Sequence, residues 1–148
     1  MFNLSNKHIL LTGATGYLGS QVAFGLADLG AIIHVNSRTV GACERLVEEI
    51  NSKGCRAIVA SFDVTKDEAV KEYADSLSQL DVLINNSYAG IGGTILSASM
   101  DNYIDSYQSS VVASANLTKV FEPFLSEAAS LRGNASIINV ASMYGMVS

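Results

Sequence analysis

Cysteine, proline and positive charge are all scarce in this chain of 148 residues. The two cysteines, Cys43 and Cys55, are too few for a disulfide framework and lack metal-ligand spacing, so we predict no bound metal. With 1 proline and 12 glycines, the chain is neither a proline-rich linker nor collagen-like. Lys and Arg number 9 against 14 Asp and Glu, and a chain this acidic is a poor candidate for binding nucleic acid or an anionic membrane.

Long apolar runs are also missing. No run reaches the roughly 18 apolar residues that a membrane-spanning helix needs. The run 9–11 near the start ends at Thr12 and Gly13 and is too short for the core of a signal peptide. These absences predict a cytoplasmic protein with no membrane partner. Hydrophobic residues nevertheless make up 49% of the chain, which is enough for one folded core and excludes disorder.

Short apolar runs alternate with stretches of helical periodicity. Cys43, Leu46, Val47 and Ile50, for example, lie at i, i+3, i+4 and i+7, which is one face of a helix. Strands that alternate with helices predict a parallel sheet covered on both faces, with its ligand site at the carboxyl ends of the strands. The predicted strands are 7–12, 31–35, 56–62, 80–85 and 135–141.

A glycine-rich turn follows the first predicted strand. Gly13, Gly16 and Gly19 lie between this strand and the first predicted helix, which is where such a turn binds the pyrophosphate of a dinucleotide. Glycine is needed because the chain turns sharply and its amides must approach the phosphates closely. The alternative is a tight turn that serves only packing. The turn residues predicted to bind the cofactor are Gly13, Thr15, Gly16, Tyr17, Leu18 and Gly19.

The end of the second strand, at 35–39, carries no acidic residue. Folds that bind NAD usually place an acid about 20 positions after the glycines, where it binds the ribose hydroxyls. Here Arg38 offers a cation where the 2′-phosphate of NADP would lie. We therefore predict NADP(H) as the preferred cofactor and NAD(H) as the alternative. If the prediction is wrong, Arg38 is an ordinary solvated arginine.

Four segments resemble, in order, the motifs of the short-chain dehydrogenase/reductase family. They are the glycine turn, the pair at 63–64, the strand motif at 81–86 and the fifth strand at 136–142. The resemblance covers 7–147 and implies a Rossmann-type doubly wound α/β sheet, here the first five of the family's seven strands. It also implies that 1–148 is one NAD(P)-binding domain. The further cofactor contacts it implies are Asp63, Val64, Asn86 and Ser87.

The family resemblance also implies a reaction, which is hydride transfer between nicotinamide and a carbonyl or secondary alcohol. The family uses a Tyr-x-x-x-Lys segment for acid/base work and a serine to orient the substrate oxygen, and Ser142 matches that serine. Judged alone, Ser142 could equally satisfy a local turn. Tyr144 is too close to Ser142 to be the family's tyrosine and no lysine follows it, so Tyr144 and Gly145 are expected only to line the substrate pocket. We expect that the chain is truncated and is the N-terminal portion of a longer enzyme. Alone, it should be inactive.

Three features depart from the family pattern. The glycines are spaced as in the extended branch, so a nucleotide-sugar epimerase or dehydratase stays open as an alternative, beside a non-catalytic dinucleotide-binding fragment. The pair 87–88 replaces the usual Ala-Gly, and Tyr88 would narrow the pocket or stack on a substrate. Ser110 stands where the family has the Asn of its proton relay, while Asn116 lies nearly two turns away.

A long helix is predicted over 102–131, with a kink at Pro123. Apolar side chains such as Val111 and Phe121 cover a wide arc of it, and small residues near its start would permit close approach of another helix. In the family this helix packs against its counterpart in a second subunit, so the resemblance implies a homo-oligomer. The alternative is a helix wholly buried within one subunit.

Overall fold

The computed structural model describes residues 3–90, 94 and 96–142. Within them, five parallel strands form one sheet in the order β3-β2-β1-β4-β5. The order reverses between β1 and β4, which confirms the predicted doubly wound sheet. The strands are β1 (His8–Leu11), β2 (Ile32–Ser37), β3 (Arg56–Ser61), β4 (Val82–Asn85) and β5 (Ser136–Asn139).

Helices cover both faces of the sheet because successive strand residues point to opposite sides and both sets are apolar. Ile9 and Leu11 face α1 and α2, whereas Leu10 faces α3 and α5. No helix in the described ranges has the length and apolar character needed to cross a membrane. The helices are α1 (Tyr17–Asp28), α2 (Val40–Ser52), α3 (Asp67–Asp75), α4 (Met100–Tyr107) and α5 (Ala113–Arg132).

The predicted long helix exists but is not uniform. It runs from α4 to α5 through a π-helical turn at Gln108–Val112, where the N–H of Ala113 donates to the carbonyl of Gln108. Pro123 lies inside α5. The switch from α-helical to π-helical hydrogen bonds therefore comes before the proline. Apolar periodicity did not predict this turn, since the pattern continues through it. Such turns are rare and often lie at functional sites.

The long helix divides into a buried and an exposed part. Phe121 and Leu125 are buried in the core beneath the sheet, whereas Tyr107 is 61% exposed and Val111 is 47% exposed. Within the described residues the helix is therefore only partly buried.

A carboxylate ties the elements together at the amino edge of the sheet. The Asp81 carboxylate accepts hydrogen bonds from Lys7 Nζ at 3.2 Å, from Arg132 Nε at 2.7 Å and from the backbone N–H of His8 at 3.0 Å. Burial alone would raise the pKa of Asp81, but these bonds and one from Gln79 outweigh it and hold the pKa well below its usual range. This cluster fixes β1, β4 and α5 at the edge opposite the glycine turn.

Candidate functional site

A cavity of about 750 Å³ opens at the carboxyl ends of the strands. Its walls come from the glycine turn, from the segments that follow β2, β3, β4 and β5, and from the π-helical turn. All of the predicted cofactor-binding residues and the predicted catalytic serine line it: Gly13, Thr15, Gly16, Tyr17, Leu18, Gly19, Arg38, Asp63, Val64, Asn86, Ser87 and Ser142. These residues are thus brought together at one edge of the sheet, while what they bind stays a prediction.

Thr12 holds the glycine turn to the fourth strand. Its Oγ1 accepts the backbone N–H of Asn86 at 2.9 Å and that of Ser87 at 3.0 Å, and donates to the carbonyl of Ile84 at 3.2 Å. The side-chain amide of Asn86 donates in turn to the carbonyl of Thr12 at 3.0 Å. Thr12 is fully buried. Its hydrogen bonds therefore fix the glycine turn after β1 to the loop after β4.

Two glycines have physical reasons for lacking a side chain. Gly13 has φ +63°, and a β-carbon there would lie 3.0 Å from the α-carbon of Ser87. A β-carbon on Gly19 would collide with the carbonyl oxygen of Gly13 and lie 2.8 Å from the α-carbon of Ala14. Helix α1 therefore packs directly against the turn, and its first residues lie at the cavity.

The amino end of α1 presents free backbone donors to the cavity. Gly16 is the residue before the helix, and no side chain caps it. The first-turn N–H groups of an α-helix have no partner inside the helix, so they and the helix dipole favour an anion. The side chains of Tyr17 and Leu18 at this end are 93% and 55% exposed, so neither is packed in the core.

Arg38 and Asp63 are the two charged residues among those described that line the cavity. The carboxylate of Asp63 accepts the backbone N–H of Thr65 at 2.9 Å and its hydroxyl at 2.8 Å. Burial alone would raise the pKa of Asp63, but the Thr65 bonds and the charges of Arg38 and Lys66 outweigh it and hold the pKa below its ordinary value. Asp63 is therefore ionised at neutral pH.

The far end of the cavity carries hydroxyl groups. Ser142 follows β5 and lines the cavity together with Ser109 and Ser110 of the π-helical turn. Asn116 does not reach this cavity and lines a separate one of about 330 Å³ beside α3. Ser110, which stands at the family's relay position, therefore lines the same cavity as Ser142. Tyr144 and Gly145 lie outside the described residues.

Three further residues at the site were not predicted from the sequence. Thr12 is the hydrogen-bonding centre described above. Asn36 is buried at the end of β2, lines the cavity and donates from Nδ2 to the carbonyls of Ala60 at 2.8 Å and Phe62 at 3.1 Å. Ser109 faces the cavity because of the π-helical turn, which no periodicity indicated. A buried polar residue at a predicted strand end was the available signal for Asn36.

Comparison with known proteins decides the family. The model for short chain dehydrogenases matches residues 7–148. The chain belongs to the short-chain dehydrogenase family. The ketoacyl reductase HetN of Nostoc sp. is 31% identical to it over 98% of this chain and 50% of HetN. The chain thus spans about half the length of this curated relative.

Solved structures of the family superpose closely on this fold. The Pseudomonas aeruginosa protein RhlG in an NADP active-site complex has a TM-score of 0.88 at 26% identity, over 99% of this chain and 59% of RhlG. A short-chain dehydrogenase/reductase from Burkholderia phymatum in complex with NAD has a TM-score of 0.85 at 27% identity, over 100% of this chain and 53% of that protein. Both NADP and NAD therefore occur among the neighbours. These dehydrogenase and reductase relatives do not favour the epimerase or dehydratase alternative.

Proposed function

We propose that residues 1–148 form the NADP(H)-binding domain of an oxidoreductase that transfers hydride between nicotinamide and a carbonyl or secondary alcohol. The observation that carries the proposal is the meeting of the glycine turn, Arg38 and Ser142 in one cavity. The turn and Arg38 suit the phosphates of the cofactor, and Ser142 suits the reacting oxygen of the substrate. The hydride transfer by the whole protein is likewise part of what we propose.

The cavity residues fit a dinucleotide phosphate. Gly13 and Gly19 let the turn pack directly on the loop after β4 and on α1, where a β-carbon would collide, and α1 begins at the cavity without a side-chain cap. In this proposal the turn holds the pyrophosphate, Arg38 binds the 2′-phosphate, and Asp63 and Val64 contact the adenine. The end of β2 offers no carboxylate that would repel a 2′-phosphate.

Bound NADP(H) would supply or accept the hydride. The hydroxyl of Ser142 would hydrogen-bond the substrate oxygen and keep it in place. Asn86 and Thr12 hold the glycine turn and so keep the phosphate cradle in shape. A second candidate function for the isolated chain is a non-catalytic dinucleotide-binding module, because the contacts that shape the glycine turn involve no reacting group.

Isothermal titration of the 148-residue chain with NADPH and NADH tests the cofactor assignment. We expect NADPH to bind more tightly, and Arg38→Ala to weaken NADPH binding by about tenfold while NADH affinity changes less than about twofold. Arg45→Ala removes an exposed arginine that does not line the cavity and controls for the loss of charge. Equal affinities for the two cofactors, or an Arg38→Ala chain that binds NADPH unchanged, would contradict the preference for NADP(H).

Turnover separates the two candidate functions for the isolated chain. We expect the 148-residue chain to bind NADPH without oxidising it in the presence of a carbonyl compound. Oxidation by the chain alone would show that its acid/base group lies among its own residues and would overturn the non-catalytic alternative.

The remaining sequence-based predictions concern the setting of the protein. We propose a homo-oligomer that forms through the helix over 102–131, supported by the exposed Tyr107 and Val111 on the side away from the core. The cytoplasmic location stays a prediction.

A further inference from the structure

Tyr88 stands at the mouth of the cavity on the loop that follows β4. Its side chain lines the cavity and is 68% exposed. The hydroxyl end of the phenol lies against Gly90, where a β-carbon would overlap it. The aromatic side chain thus lies at the cavity instead of in the core, and glycine at position 90 makes room for it.

The backbone on either side of Tyr88 is fixed by two hydrogen bonds. The N–H of Ser87 donates to Thr12 Oγ1 at 3.0 Å, and the N–H of Ala89 donates to Ser109 Oγ at 3.3 Å. The hydroxyl of Ser109 itself donates to the carbonyl of Ser106 at 3.2 Å, which leaves its oxygen lone pair for Ala89. Ser109 is 4% exposed. The π-helical turn therefore holds the loop, and through it the ring of Tyr88.

Charge is distributed unevenly around the cavity. Arg38 and Asp63 follow β2 and β3, which lie on one side of β1 in the sheet. The described lining residues on the other side, after β4 and β5 and on the π-helical turn, carry hydroxyl, carboxamide, methyl and phenol groups and no charge. A substrate bound beside Ser142 and Tyr88 meets no described cation that would neutralise a carboxylate.

We propose that Tyr88 is a specificity-determining residue that selects uncharged, ring-containing carbonyl compounds over open-chain keto acids. Its ring packs on a flat apolar face of the substrate, and Ser109 is the positioning residue that holds the loop. This inference rests on the proposed function, since it concerns the substrate of the same reaction.

The test compares cyclohexanone with the anion 4-oxopentanoate as substrates of the full-length protein at saturating NADPH. We expect the wild type to prefer cyclohexanone in kcat/KM. Tyr88→Ala should lower kcat/KM for cyclohexanone about threefold to tenfold through KM and leave 4-oxopentanoate nearly unchanged. Tyr88→Phe retains the ring and should preserve the preference.

Ser109→Ala should shift the preference in the same direction as Tyr88→Ala. Ser126→Ala, which removes an exposed serine on α5, is the matched control and should leave the preference unchanged. Circular dichroism of each variant establishes that it is folded. Because Tyr88 lies outside the core, its variants test the inference even where Ser109→Ala fails to fold.

The outcomes separate this inference from the proposed function. Tight NADPH binding together with no preference for cyclohexanone, or with a preference that Tyr88→Ala leaves intact, overturns the inference and leaves the proposed function standing. A wild-type protein that binds neither NADPH nor NADH overturns both.

Discussion

The Nδ1 of His8 and the Nε2 of His34 lie 2.9 Å apart, and the Nδ1 of His34 lies 2.7 Å from the hydroxyl oxygen of Tyr73. This series of side-chain contacts joins β1, β2 and α3 on one face of the sheet. A hydrogen bond between two imidazoles needs one nitrogen without a proton, so the two rings cannot both be charged in this arrangement. Burial first, and the neighbouring His8 second, lower the pKa of His34 to about 4.

We predict a loss of stability as the pH falls from about 6.5 to about 4. The folded protein keeps His34 neutral in this range, while the unfolded chain binds a proton at an ordinary histidine pKa, so acid favours unfolding. The expected loss is about 2 kcal/mol by pH 4.5, measured by urea unfolding at several pH values. His34→Gln should flatten this dependence. An equally steep loss of stability in His34→Gln would contradict the assignment of this pH dependence to His34. It would point instead to His8, the chain's other histidine.

Asp81 gives a prediction about charge at the amino edge of the sheet. Its side chain is 1% exposed and binds both Lys7 and Arg132, so Asp81→Asn leaves two cations facing a neutral amide. We expect a loss of about 3 kcal/mol in the free energy of unfolding. Asp67→Asn breaks an exposed ion pair with Lys71 and should cost far less, because solvent screens that pair. Similar losses in the two variants would show that the Asp81 cluster is not a structural centre.

Two glycines of α1 form a matched pair. Gly19→Ala puts a β-carbon against the glycine turn, whereas a β-carbon on Gly25 meets no atom within 4 Å. We expect Gly25→Ala to stabilise the chain by about 0.5 to 1 kcal/mol, because alanine is the better helix former. Gly19→Ala should destabilise the chain and weaken NADPH binding, because α1 and the glycine turn must move apart to make room for the β-carbon. Thermal unfolding and NADPH titration of both variants decide the matter, and unchanged NADPH affinity in Gly19→Ala would contradict the close packing.

The sequence was informative where local chemistry and periodicity agree. Alternating apolar runs and helical faces predicted the five-stranded sheet, and residues at strand ends met at one edge because parallel strands place all their carboxyl ends together. The π-helical turn at Gln108–Val112 escaped prediction because apolar spacing does not register one extra residue in a turn. The position of Tyr88 against Gly90 and the hydrogen-bonding centre at Thr12 depend on contacts between distant segments, which single-sequence patterns do not encode.

The exposed side of the long helix gives the last prediction. Ile104, Tyr107 and Val111 are 59%, 61% and 47% exposed, and they lie close together along α4 and the π-helical turn. Burial of such a surface against a second copy would stabilise a dimer, and a carboxylate placed there would be buried without a partner. We expect sedimentation velocity of the full-length protein to show an oligomer, and Val111→Glu to raise the dissociation constant by at least about tenfold. Val40→Glu, at a residue 55% exposed on α2 across the sheet, is the control and should leave the oligomer intact. A wild-type protein that sediments only as a monomer would contradict self-association, and equal dissociation by both variants would contradict its assignment to this helix.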